Sequence, residues 1–114
     1  MDKIPKNTDQ LVTLNLNIDG VVIDYSDVID LQVIFYQKKD DVLSFKSFAN
    51  NEVDFVGSPP TQAVTTLNRQ SINKVPNGRL YCQVDVYLTN PDFIDGKKLT
   101  MTDILIGELI DVAW

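Results

Sequence analysis

The chain has 114 residues, a formal net charge of −6, one cysteine and no histidine. This length matches one domain with one core, and a composition of 44% apolar and 23% charged residues argues against a disordered or fibrous chain. Nucleic acids and anionic membranes are bound by clustered Lys and Arg, so the acidic surplus argues against both as partners. No charged and apolar leader opens the chain, and we expect neither a signal peptide nor a transmembrane span.

The composition favours strands over helices. Val, Ile and Thr number 13, 10 and 8, whereas the helix formers Ala and Glu number only 3 and 2. Asp supplies 14 of the 16 acidic residues, which is typical of a chain with many turns. The single cysteine, Cys82, cannot form an internal disulfide, and its place in an alternating apolar pattern favours a buried, inert thiol over a reactive one.

The N-terminal residues 1–10 are polar and show no periodicity. We therefore predict a flexible N-terminal arm, in which Ile4 and Pro5 are available to order on a neighbouring subunit. A single β-sandwich domain is then predicted over residues 11–114.

The first half of that domain is predicted as short strands joined by turns. Apolar residues alternate from Leu11 to Ile18, and Asp19-Gly20 is a strong hairpin signal. Residues 24–30 carry acids at every third position and predict a turn or a single helical turn. Further strands are predicted over residues 31–37, 42–48 and 53–56. Adjacent prolines lack the donors that a sheet needs, so Gly57-Ser58-Pro59-Pro60 predicts a long surface loop.

The second half contains the clearest strand. Residues 61–74 show roughly helical spacing and predict a short helix that crosses between sheets. From Leu80 to Thr89, apolar and polar residues then alternate, which predicts one core face and one solvent face. The core face holds Leu80, Cys82, Val84, Val86 and Leu88, and the solvent face holds Tyr81, Gln83, Asp85, Tyr87 and Thr89.

The chain ends in a predicted loop and a predicted pair of strands. Residues 90–98 form the loop, and the strands are placed over residues 99–102 and 104–112, with Gly107 inside the second and Trp114 at its end. In total, about seven short strands with one short helix indicate an all-β, antiparallel β-sandwich.

No pattern for enzyme chemistry is present. Without histidine there is no Ser-His-Asp arrangement and no zinc site of the common kinds. The acidic series at Asp24, Asp27 and Asp30 and the loop from Asn90 to Gly96 are the nearest approach to a calcium loop, and neither has its ligand spacing. We predict no catalytic residue, no metal ion and no cofactor.

The candidate interaction surface consists of exposed aromatic, proline and loop residues. Tyr81 and Tyr87 lie on the same face of their strand, where they suit contact with protein or glycan. The alternative is that they form cross-strand pairs on a solvent face. The two predicted loops contribute Pro59, Pro60, Asp92 and Phe93.

The order of these signals resembles a known family. The chain has, in order, a strand, an Asp-Gly hairpin, an aliphatic and aromatic strand over Leu31–Tyr36, the turn Pro76-Asn77-Gly78, the strand Leu80-Tyr81-x-x-Val84-x-Val86 and a last strand with Gly107. This order resembles that of the immunoglobulin-like β-sandwich modules of tailed-phage virion proteins. The resemblance is in particular to the N-terminal domains of baseplate upper proteins. In that family a segment like residues 74–86 recurs near the end of the module, and residues like 104–111 close it.

The resemblance implies a function without catalysis. It implies a virion structural protein, in the baseplate or tail, the neck, or head-fibre attachment or decoration, that docks to other virion proteins and forms homo-oligomers. Such a protein is made in the host cytoplasm and resides in the virion. The alternative is a module that binds carbohydrate or a host surface, for which the candidate residues are the two tyrosines and the two loops.

Overall fold

The computed structural model describes residues 2–18 and 20–111, and its strands follow one another with few helical residues between them. A 3₁₀ turn at Tyr25–Asp27 precedes β5, and a four-residue helix, α1 (Arg69–Ile72), lies between β8 and β9. The strands are β1 (Lys3–Pro5), β2 (Gln10–Leu14), β3 (Asn17–Ile18), β4 (Val21–Val22), β5 (Val28–Lys38), β6 (Asp41–Ser47), β7 (Val53–Gly57), β8 (Pro60–Leu67), β9 (Gly78–Leu88) and β10 (Lys97–Ile110).

Two sheets form the sandwich that the sequence predicts. One has five strands in the order β1-β10-β9-β5-β6, the other has three in the order β2-β8-β7, and β3 and β4 pair as a separate ribbon. The orders β10-β9-β5-β6 and β2-β8-β7 correspond to strands G-F-C-C′ and B-E-D of an immunoglobulin-like sandwich. The predicted all-β sandwich with one short helix is therefore confirmed. The sheets use eight strands rather than about seven, because β1 adds a parallel edge to β10.

The core lies between the sheets and is built from the predicted alternation in β9. Leu80, Cys82, Val84 and Val86 are all 0% exposed. They belong to one buried cluster with residues of the smaller sheet such as Leu14 and Leu67. Every second side chain of a strand points to the same face of the sheet, which is why the alternation in the sequence predicted the core residues of β9.

The prediction of a flexible arm over residues 1–10 is wrong for the residues of β1 and for the start of β2. Lys3–Pro5 pairs with Glu108–Ile110 of β10, and Ile4 is only 6% exposed within the core cluster. Gly107 permits this approach, because a Cβ atom there would lie 2.7 Å from the backbone oxygen of Asp2. Ile4 and Pro5 are thus parts of the sheet, and Met1 lies outside the described residues.

Two predicted connections are also wrong. The prolines do not form a long loop: Pro60 is the first residue of β8 and pairs with Gly57, so β7 and β8 are joined by a tight hairpin with a cis Ser58–Pro59 bond. The predicted crossing helix is mostly β8. Pairing with two neighbouring strands overrides its helical spacing, and only Arg69–Ile72 is helical.

The predicted final pair of strands is a single long strand. β10 runs beside β9 along its whole length, with register shifts between Met101 and Ile104 and between Leu105 and Gly107. Asp103 has a φ of 56° in the first of these bulges, so the chain kinks there without turning back. The predicted ends of the strand at Val112 and Trp114, and the turn residue Asp19, lie outside the described residues.

Candidate docking surfaces

One end of the sandwich gathers four connections, and we call it the loop end. It carries the β3–β4 ribbon, the 3₁₀ turn, the β7–β8 turn and the β9–β10 loop of residues 89–96. The Tyr25 ring of the 3₁₀ turn stacks on Phe55 of β7 with centroids 4.8 Å apart. The N–H of Thr89 donates to the carbonyl of Asp27 at 3.0 Å. The opposite end carries the β5–β6 turn, α1 and the end of β10.

Exposed apolar side chains concentrate at the loop end. Among the described residues, ten large apolar side chains are exposed, and six of them belong to this end. Ile94 is fully exposed, at 104%, and Phe93 beside it is 53% exposed. The six are Val21, Val22, Ile29, Val56, Phe93 and Ile94. Apolar groups gathered on one region of a surface are typical of sites that bind another molecule.

The β9–β10 loop is closely folded. Asn90 accepts the N–H of Asp92 on its side-chain oxygen at 2.9 Å and the N–H of Phe93 on its carbonyl at 3.2 Å. Gly96 follows with a φ of +85°, and a Cβ atom there would lie 2.6 Å from Cδ1 of Ile29. The loop thus packs against β5 while Asp92 and Phe93 stay exposed, as the sequence predicts for a surface loop.

The β7–β8 turn brings the predicted prolines to the same end. Phe55 stacks on the 3₁₀ turn, and the hairpin follows it at once. Pro59 is exposed, Pro60 is half-buried, and Val56 beside them is 47% exposed. The structure therefore brings Pro59, Pro60, Asp92 and Phe93 to one end.

Sequence reasoning missed four apolar residues of the loop end because they belong to predicted strands or their edges. The run Val21-Val22-Ile23 could have predicted exposed apolar side chains, since three consecutive residues of a strand cannot all face the core. Only Ile23 of these is buried. The exposure of Ile29 and Val56 depends on where the neighbouring strands end, and the sequence alone does not show this.

Tyr81 lies on a second surface, the outer face of the five-stranded sheet, which we call the sheet face. It is half-buried, and it stacks on Tyr36 of β5 with ring centroids 6.2 Å apart. Leu105 is its partner on β10, and Phe45 lies on the adjacent row of the same face. Leu105 and Phe45 are 44% and 45% exposed. Tyr81 therefore takes part in a cross-strand pair with Tyr36, while its ring stays half-exposed on the sheet face.

Tyr87 lies further along the sheet face in a polar environment. The ammonium of Lys98 lies 5.8 Å from the centre of its ring. The neighbouring Asp85, predicted to face solvent, is only 5% exposed and accepts a hydrogen bond from Thr100 at 2.8 Å. Six strand residues separate the two tyrosines by about 20 Å, so they cannot flank one sugar ring together.

The titratable groups of the sheet face and core have structural partners. The hydroxyl of Tyr36 donates to Oδ1 of Asp103 at 2.6 Å and accepts the N–H of Asp103 at 2.8 Å. The hydrogen bond from Tyr36, together with Lys39, lowers the pKa of Asp103 below its ordinary value. Burial raises the pKa of Cys82 to about 12, so this thiol stays protonated at neutral pH, as expected for an inert core residue.

The acidic series near the 3₁₀ turn is used for local structure. Oδ1 of Asp24 accepts from the N–H and the hydroxyl of Ser26, and Oδ1 of Asp30 accepts from the backbone of Leu31 and Ala49. Within residues 2–18 and 20–111, no three acidic or cysteine side chains are grouped in a way that would hold a metal ion. In the same part of the chain, no helix is long and apolar enough to span a bilayer.

An open groove of about 630 Å³ lies between β2 and the strands β1 and β10. Its lining combines aliphatic side chains with two charged residues, Asp2 and Lys3, and three polar ones, Gln10, Thr13 and Asn15. No protein-family model matches the chain, and neither the curated proteins nor the solved structures searched contain a match.

Proposed function

We propose that this chain is a non-enzymatic virion structural protein of a tailed phage, which docks to other virion proteins through its loop end. The observation that carries the proposal is the group of six exposed apolar side chains at that end. Loops held by a rigid sandwich are a common place for binding residues. The assignment to a virion is supported by the resemblance described above and by the immunoglobulin-like strand order.

The loop end can supply a useful part of a docking free energy. Complete burial of one Phe or Ile side chain contributes about 1.5–3 kcal/mol. Phe93 is already about half buried, so Phe93, Ile94 and one further exposed apolar residue would together contribute roughly 3–7 kcal/mol before the costs of association. A micromolar complex needs about 8 kcal/mol after those costs, so these anchors supply only part of the docking free energy and further contacts must supply the rest.

The test is the composition of purified particles. Particles are collected from an induced lysate of the source strain, and this chain is quantified by mass spectrometry against the major capsid protein. A fixed stoichiometry supports the proposal, and the copy number separates baseplate, neck and decoration positions. Absence of the chain from intact particles refutes the proposal.

A glycan-binding module is the second candidate, because the ring of Tyr81 is half-exposed beside the apolar side chains of Leu105 and Phe45. A glycan array probed with the wild type and with Tyr81→Ala tests it. Loss of glycan binding in Tyr81→Ala favours this candidate. If the wild type binds no glycan on the array, glycan binding is excluded for the sugars that the array contains.

A homo-oligomer would use the same sheet face, and sedimentation of Phe45→Ser against the wild type tests that contact.

A further inference from the structure

The charges of the molecule are separated between its two ends. The opposite end comprises residues 2–9, 38–41, 69–79 and 103–111, which hold seven acidic and seven basic side chains. At the loop end, residues 20–30 and 89–98 hold five acidic and two basic side chains. The opposite end is therefore neutral, whereas the loop end carries a net charge of −3.

The ion pairs follow the same division. Four of the six in the described part of the chain lie at the opposite end, where Lys3 meets Glu108 at 2.8 Å and Lys6 meets Asp111 at 2.9 Å. The nearest pair to the loop end joins Lys98 to the buried Asp85 at 3.9 Å. Four exposed carboxylates of the loop end form no ion pair with any described residue: Asp24, Asp27, Asp92 and Asp95.

Each of these carboxylates lies within two residues of an exposed apolar side chain in the sequence. Asp92 and Asp95 flank Phe93 and Ile94, and Asp27 is two residues before Ile29. Any surface that covers the apolar residues must also approach the carboxylates. An acidic surface would be repelled, whereas Lys or Arg around an apolar depression would pair with them.

We propose that the partner of the loop end is a different protein whose docking site is an apolar depression bordered by Lys and Arg. This inference rests on the proposed docking function and adds the chemistry of the partner. A second copy docked through the same end is disfavoured, because the four exposed carboxylates of each copy would meet only two lysines of the other, Lys97 and Lys98. The charge pattern raises the association rate and selects the partner, and the apolar side chains provide most of the affinity.

Zero-length crosslinking of intact particles tests the partner's chemistry directly. A water-soluble carbodiimide joins a carboxylate only to an amine that contacts it, and mass spectrometry identifies both residues. We expect Asp92, Asp95, Asp24 or Asp27 to be joined to lysines of another virion protein. Crosslinks from these residues only to lysines at the opposite end of this chain, which one copy cannot bridge, would overturn the inference in favour of self-association. Crosslinks confined to carboxylates of the opposite end would overturn it as well.

A pair of matched variants tests the same point by competition. Asp92→Asn with Asp95→Asn removes two exposed charges from the loop end, and Asp40→Asn with Asp41→Asn removes two exposed charges from the opposite end. Exposed charge pairs each contribute modestly, so we expect the loop-end variant to be incorporated into particles roughly three- to tenfold less than the wild type at low salt. The control variant should match the wild type, and high salt should narrow the difference.

The failures of the two proposals differ. If the wild-type chain is absent from particles, the virion function is wrong. If the wild-type chain is present and both variants are incorporated equally at every salt concentration, the function stands and the inference of a basic partner is wrong. Thermal unfolding of each variant beforehand shows whether reduced incorporation reflects docking rather than folding.

Discussion

Tyr25→Phe should stabilise the protein. Tyr25 is 2% exposed, and its hydroxyl has no hydrogen-bond partner among the described residues. Desolvation raises the pKa of this hydroxyl to about 12. Phe keeps the ring that stacks on Phe55 at 4.8 Å and removes only the unsatisfied oxygen.

The magnitude follows from the cost of a buried polar group. A hydroxyl that gives up its water partners without replacement costs about 1–3 kcal/mol. We expect the free energy of unfolding to rise by about 1 kcal/mol, at the lower end of that range, because a small surface shift can admit partial solvation. For a domain of this size the melting temperature should rise by about 4 °C.

Tyr36→Phe makes the same chemical change where the hydroxyl has partners. It removes an acceptor from the N–H of Asp103 and a donor to its carboxylate. A loss of about 1–3 kcal/mol is expected, so the two variants should shift stability in opposite directions. Urea unfolding followed by far-ultraviolet circular dichroism at neutral pH measures both. A loss of stability in Tyr25→Phe equal to that in Tyr36→Phe would refute the assignment of Tyr25 as unsatisfied.

Three further outcomes are expected. Three carboxyl groups have a pKa below the ordinary value because they accept hydrogen bonds: Asp103 from Tyr36, Glu108 from Lys3 and Asp111 from Lys6. As the pH falls, the unfolded chain therefore takes up protons before the folded one, and the urea midpoint should decrease below about pH 4.5. An unchanged midpoint contradicts this. Gly96→Ala should lower the free energy of unfolding by more than about 1 kcal/mol, because φ is +85° and the new Cβ would overlap Ile29; a neutral melting curve would show that the loop is not packed as described. Ile4→Ala truncates a core side chain and should lower the free energy of unfolding by about 2 kcal/mol. Leu11 is 70% exposed, so Leu11→Ala should lower it by less than about 0.5 kcal/mol. Equal effects of the two variants would support a flexible N-terminal arm instead of β1.

The sequence predicted the parts of the fold that repeat a local period. The alternation from Leu80 to Leu88 placed one face of β9 correctly because every second residue enters the same core layer. The Asp-Gly signal located the β3–β4 ribbon, and the short helical turn before β5 was also found. In each of these cases the signal and the structure lie within a few residues of each other.

The errors arise where distant segments decide the conformation. β1 has one buried residue, Ile4, and its identity as a strand depends on pairing with β10 more than 100 residues later. In β8, Ala63, Thr65 and Leu67 are buried at period two, but the apolar Val64 between them produced an apparent helical spacing. Burial of Asp85 likewise depends on Thr100 and Gln83 beside it, which the sequence does not place there.

The candidate site was found in part, because loops are easier to recognise than the exposure of strand ends. Asp92 and Phe93 were identified from turn residues around them, and the structure leaves both exposed. Tyr81 and Tyr87 were identified from the face they share, but their separation and their neighbours come from the registers of β5 and β10. Val21, Val22, Ile29 and Val56 also belong to the exposed apolar group of the loop end, but this follows only from the fold, which brings the four connections to one end.

The way in which the β9–β10 loop is held explains why its apolar residues suit docking. The backbone of residues 89–96 is fixed by the hydrogen bond from Thr89 to Asp27, by Asn90 and by the contact of Gly96 with Ile29. Phe93 and Ile94 are therefore positioned by the loop backbone while their side chains remain largely exposed. Because the backbone is ordered before binding, a partner that covers these residues would lose little further conformational entropy. The side chains that contribute least to folding are thus the ones whose burial can be used for binding.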